Sequence, residues 1–122
     1  MPGDVVVTHT NIYQVLNAEA LQIDVVIGQA QAGGTALTLD GAPIAFNNAT
    51  SRATVGSPGQ TLVGSILQCA TIVKDINPAT NNTSVTYTLS GGVANKSFPY
   101  AVQVSADKGL ARYLITFLFT AE

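Results

Sequence analysis

Apolar and polar residues alternate along most of this chain, in Thr- and Val-rich runs punctuated by Gly, Asn, Asp and Pro. A period of two is the repeat of an extended strand whose two faces meet different surroundings, so the pattern predicts one strand after another. The clearest unit is Thr35-Ala36-Leu37-Thr38-Leu39, then Asp40-Gly41, then Ala42-Pro43-Ile44-Ala45-Phe46. Asp-Gly between apolar runs signals a two-residue hairpin, because a type I′ turn needs positive φ at both central positions. Pairing Leu39 with Ala42 sets Leu37 opposite Ile44 and Thr35 opposite Phe46, which makes one face mainly apolar. Pro43 then falls at a non-hydrogen-bonded pair, a position that suits a sheet edge or a bulge.

The other runs follow the same logic. Leu21, Ile23, Val25 and Ile27 share one face. The stretch from Gln60 to Lys74 is apolar on both faces, with Val63, Leu67, Cys69 and Val73 on one and Leu62, Ile66, Ala70 and Ile72 on the other. That pattern predicts a central strand, or one bent at Gly64. From Thr83 to Ser90 the chain points Val85, Tyr87 and Leu89 inward and Ser84, Thr86 and Thr88 outward. Phe98, Tyr100, Val102 and Val104 form another face, and Ser105 to Gly109 reads as a hairpin loop leading into the last run. There Tyr113, Ile115, Phe117 and Phe119 lie on one side and Leu110, Leu114 and Leu118 on the other. This second face is too apolar for open solvent, so another part of the fold or another subunit is expected to cover it. The segment from Asp4 to Leu16 reads as extended. Asn17 to Leu21 has room for one helical turn capped by Asn17, too short to stand alone.

Seven to eight short strands without a convincing helix predict a single all-β domain over residues 1–122. The layer rules favour an antiparallel β-sandwich, Ig-like or jelly-roll-like, with a small closed barrel as the alternative. No repeat with a period of 20–50 residues stands out.

Charge changes this picture more than composition does. Only 10% of residues are charged, against about 25% in an average domain. A fold of this size exposes roughly 6,200 Å², so large areas must be neutral, and large uncharged patches tend to be contact surfaces. The net charge of −2 and the scattered Arg52, Lys74, Lys96, Lys108 and Arg112 speak against nucleic acid and against a polybasic membrane patch. No apolar run approaches the roughly 20 residues that span a bilayer, so membrane insertion is not expected. Met1-Pro2-Gly3-Asp4 does not open like a secretory signal. The single Cys69 forms no intramolecular disulfide.

Candidate chemistry is sparse. Gly28 to Thr35 nearly spells a phosphate-binding loop, but Gly34 stands in the lysine position and a strand follows where a helix should start. Asp75, Asn77 and Asn81 gather oxygen ligands in one loop and make a weak calcium candidate; the EF-hand template fails, and Asn77-Pro78 reads as a turn. His9 is the one histidine, so any triad or imidazole acid–base chemistry would run through it. Cys69, in the middle of an apolar strand, reads as a buried thiol. Asp24 alone of the acidic residues falls inside a strand, which leaves no carboxylate pair. The Asn-x-Ser/Thr matches at Asn48, Asn81, Asn82 and Asn95 are expected by chance in so Asn- and Thr-rich a chain. No Trp is present to serve as a sugar platform, and Tyr13 is the one aromatic residue outside the apolar stripes. No cofactor is expected.

These readings point to a non-enzymatic structural or protein-interaction module that forms a homo-oligomer or joins an assembly partner, as in a phage, secretion or other particle. Leu110, Leu114 and Leu118 are its interface candidates. The alternative is a glycan- or calcium-binding module using the loops at 28–35 and 75–83.

Overall fold

In the computed structural model, residues 5–15, 19–29, 31–48, 51–57, 61–76, 80, 82–104 and 109–121 are described. They form nine strands and, among the described residues, no helix. The strands are β1 (Val5–Val15), β2 (Leu21–Ile27), β3 (Ala32–Leu39), β4 (Ala42–Asn48), β5 (Ser51–Gly56), β6 (Ile66–Lys74), β7 (Asn82–Ser90), β8 (Lys96–Gln103) and β9 (Leu110–Ala121). One sheet has the order β1-β9-β6-β3-β4 and the other β5-β2-β7-β8. The two sheets do not close on each other, so the barrel alternative is overturned.

The inner faces follow the alternation. Val85, Tyr87 and Leu89 from β7 meet Tyr113, Ile115, Phe117 and Phe119 from β9, all buried. Phe117 sits edge-on to Tyr87 and to Phe98, with ring centroids 6.1 and 5.0 Å apart, the geometry aromatic pairs prefer. Hydroxyl groups cross the same interior. Thr71 on β6 bonds Thr35 on β3 at 2.9 Å and the Tyr87 hydroxyl on β7 at 2.6 Å. Thr83 on β7 donates to the Val102 carbonyl and meets the Tyr113 hydroxyl at 2.6 Å. The Thr71–Tyr87 and Thr83–Tyr113 bonds tie one sheet to the other, and each pairing satisfies a buried hydroxyl that would otherwise cost free energy. Burial also pushes the Tyr87 and Tyr113 hydroxyls above their ordinary pKa.

Several expectations need correction. The described residues form nine strands, not seven to eight; β5 is the one the pattern did not announce. The sheets are not wholly antiparallel, because β1 runs parallel to β9 from Val5↔Ala111 to Val15↔Ala121. The hairpin turn is as expected, with Asp40 at φ 50° and Gly41 at φ 85°. Its register holds at Leu39↔Ala42 and Thr38↔Pro43; a bulge then absorbs Ile44, and Leu37 pairs with Ala45 rather than Ile44. Proline offers no N–H to a ladder, and an edge strand with a bulge accommodates it. Ser105 to Gly109 does not join a hairpin, since β8 pairs with β7 while β9 pairs with β1 and β6 in the other sheet. Residues 105–108 themselves lie outside the described set. Residue 60 lies outside the described set, and from 61 the chain bends at Gly64 as the alternative reading had it: a turn at 62–65, with Gly64 at φ 87°, precedes β6. Of the candidate helical turn, residues 17 and 18 lie outside the described set, and Leu21 begins β2.

Candidate functional site

Because β9 is central in its sheet, its outward side chains are flanked on both sides, and the registers define rows across the outer face. These rows are Ile12–Leu118–Ile66, Thr10–Thr116–Gln68–Thr38, Thr8–Leu114–Ala70–Ala36 and Val6–Arg112–Ile72–Gly34. No described element lies over them. Leu114 is 46% exposed and Ile12 62%; Val6, Ile66 and Ile72 are exposed as well, and Leu110 and Leu118 are half-buried among their neighbours. Among the described residues, nothing covers Leu114, and Leu110 and Leu118 are only half-buried. The three leucines belong to a sheet-wide aliphatic face. Sequence reading took them from one strand; Val6, Ile12, Ile66 and Ile72 join them only through strand pairing.

Small residues shape this face. Gly34, Ala32, Ala36 and Ala70 leave a hollow of about 460 Å³ bordered by Ile72, Leu110 and Lys74. A second hollow of about 220 Å³ lies by Thr38, Gln68, Ala70, Leu114 and Thr116. Among the described residues, the charges on the face are the cations Lys74 and Arg112, and the Arg52–Asp24 ion pair belongs to the other sheet. The surface offers apolar contact and hydroxyls, with little to orient a small polar substrate.

The other sequence candidates are scattered. His9 on β1 stacks on Tyr100 of β8, with ring centroids 4.9 Å apart, and Asn11 donates to the Tyr100 hydroxyl. Cys69 is buried on the inner face of β6, and burial pushes its thiol far above the ordinary range. The registers place Ile115 of β9 between His9 and Cys69, so the two groups do not meet as nucleophile and base. Asp75 is buried and its backbone N–H donates to the Gly109 carbonyl. Asn77 and Asn81 lie outside the described residues. Among the described residues no three His, Cys, Asp or Glu side chains gather as metal ligands. Tyr13 is buried; its hydroxyl donates to the Ala94 carbonyl at 2.7 Å and accepts from the Gly92 N–H.

The loops at 28–35 and 75–83 do come together, through Gln31. Its side-chain amide donates to the Asn82 carbonyl at 2.9 Å, and its side-chain oxygen accepts the Ile76 N–H at 2.8 Å. Gly28 N–H bonds the Ser84 carbonyl at 2.9 Å. These polar groups brace the crossing from β2 to β3, where a ligand cradle would leave them directed at a guest. No helix among the described residues is long and apolar enough to cross a membrane. Comparison with protein-family models, with curated proteins and with solved structures finds no match for this chain.

Proposed function

We propose that this chain is a non-enzymatic structural or protein-interaction module of the β-sandwich type, in the size range of Ig-like domains, that associates with copies of itself as a subunit of a larger assembly. The observation that carries the reading is the outer face of the five-stranded sheet. Val6, Ile12, Ile66, Ile72 and Leu114 are all exposed on one surface of low charge. Contiguous exposed aliphatic area of this kind marks contact sites, and fully burying one such side chain stabilises by about 1.5–3 kcal/mol. The low overall charge fits the same reading, since charged residues are depleted at the centre of interfaces.

Light scattering at micromolar concentration tests it. The expected result is a mass above the 12.6 kDa of one chain, falling for Leu114→Lys, whose ammonium would have to be desolvated in the contact. A monomeric wild type that binds no dye for exposed apolar surface would overturn the proposal.

A further inference from the structure

The two sheets have four edge strands, and three carry features that discourage pairing with another chain. β4 has Pro43 and a bulge. β8 has Lys96 and Pro99. β5 is six residues long, carries Arg52 and lies beside a register shift. β1 differs from all of them. It is eleven residues long, has no Pro and no Asp, Glu, Lys or Arg, and pairs with β9 without a register shift.

Which backbone groups of β1 remain open follows from the ladder. The Gln14 carbonyl points away from β9 and accepts the Val93 N–H at 3.1 Å. Alternate residues of a strand direct their N–H and C=O to the same side, so Val6, Thr8, Thr10 and Ile12 present theirs on that edge too. Among the described residues no backbone bond reaches these four from that side. The 92–93 segment covers the far end of the edge and leaves a free segment whose midpoint is His9.

We infer that β1 pairs antiparallel with β1 of a second copy about a two-fold axis at His9, an inference that rests on the self-association reading and adds a surface to it. This register uses all four open residues on each chain. It sets Val6 opposite Ile12 and Thr8 opposite Thr10, so that apolar meets apolar and hydroxyl meets hydroxyl, pairings that stabilise antiparallel strands. The edge carries no formal charge, so no like charges oppose. A two-fold axis at this point runs perpendicular to the sheet. It therefore joins two five-stranded sheets edge to edge, with both aliphatic outer faces on the same side, as one continuous surface. A second copy fits better than an unrelated extended peptide because the edge is complementary to itself in the one register that leaves no open amide behind.

The test is register-specific cross-linking in the full chain. At the two-fold axis His9 faces its own copy in a non-hydrogen-bonded pair, where Cα atoms are about 4.5 Å apart, within the range a disulfide spans. His9→Cys is expected to give a disulfide-linked dimer on mild oxidation. Thr10→Cys should not, because residue 10 lies diagonal to its own copy, at about 7–8 Å. Cys69 is buried and stays silent. Thr10→Pro removes an N–H from the open edge and none from the bonds to β9; it should lower the assembled mass by half or more while keeping the native circular dichroism. Leu114→Lys should leave the His9→Cys cross-link in place. Absence of cross-linking in His9→Cys, or equal cross-linking in Thr10→Cys, overturns the edge pairing. An assembly that survives Thr10→Pro but dissolves with Leu114→Lys overturns it too, and leaves the proposed function standing. A monomeric wild type overturns the edge pairing, and one that also binds no dye for exposed apolar surface overturns the proposed function as well.

Discussion

On the four-stranded sheet, the row Arg52–Asp24–Thr88–Ser97 crosses the outer face as an ion pair followed by two bonded hydroxyls. On the five-stranded sheet, the row through the middle of β9 reads Thr8–Leu114–Ala70–Ala36. Both rows lie over the same core, and both sheets place large apolar side chains inward. The first face has the polar-out alternation of a sheet that is solvated on one side, and the second has the two-sided apolar pattern of a sheet that is covered on both. No described part of the chain supplies that second cover. The difference separates what stabilises the monomer from what the monomer presents.

The largest expected effect breaks the comparison at the core the two sheets share. Phe117→Ala empties the place where β9 meets Tyr87 and Phe98, and should destabilise the chain by about 3–5 kcal/mol, a large part of a domain's total stability. Three positions earlier on the same strand, the side chain points the other way. Leu114→Thr combined with Ile72→Thr, which gives this face the chemistry of the other, should change monomer stability by no more than about 0.5 kcal/mol while abolishing assembly through this face. Denaturant unfolding below the association concentration measures both. If the outer pair destabilised as strongly as Phe117→Ala, this face would be part of the core and the distinction would fail.

A smaller effect separates hydroxyls by depth. Thr71→Val keeps the shape of a residue that bonds both Thr35 and Tyr87, and it leaves the buried Tyr87 hydroxyl without that partner. The expected cost is about 1–3 kcal/mol, the desolvation of an unsatisfied buried group. Thr88→Val removes a hydroxyl bonded to Ser97 on the exposed face, where water replaces the partner, and should change stability by less than about 0.5 kcal/mol. Equal losses in thermal unfolding would show that the inner hydroxyl chain adds nothing beyond a surface bond.

The inner half of this architecture was legible in the alternation. The alternation assigns Val85, Tyr87 and Leu89, and Tyr113, Ile115, Phe117 and Phe119, to the buried side, where they lie. The turn at Asp40-Gly41 was legible too, because its chemistry is local. What escaped depends on contacts distant in sequence. Alternation gives the faces of a strand but not its partner or direction, so the parallel pairing of β1 with β9 left no trace. The passage from β8 to β9 between sheets looked like a hairpin for the same reason. β5 escaped because only Ala53 and Val55 alternate with Arg52 and Thr54 in so short a run. The bulge at Ile44 had a local cause in Pro43, and the proline did signal an edge or a bulge. At the candidate surface, the leucines of β9 were legible one strand at a time. Their union with Val6, Ile12, Ile66 and Ile72 was not, since it exists only in the register of three strands.

The smallest expected effect belongs to the solvated face and has a definite sign. The Arg52 guanidinium donates to Asp24, with Nε 2.6 Å from Oδ1, and this hydrogen bond, helped by the nearby positive charge, holds the Asp24 carboxyl below its ordinary pKa. Unfolded, the group titrates near about 3.9. A carboxyl whose pKa is lower in the folded state binds fewer protons there, so its contribution is complete above the unfolded value and is lost as pH falls through the folded one. Stability of the wild type should therefore decline more steeply than that of Asp24→Asn as pH drops below about 4. Because Arg52 is exposed, added salt should shrink the difference between the two. Thermal unfolding of both proteins across that acid range, at low and high ionic strength, measures it. Parallel acid profiles would mean that the pair orders the face without stabilising it. The four-stranded sheet would then owe its solubility to its hydroxyls alone, and the contrast with the aliphatic face would rest on Thr and Ser against Leu and Ile.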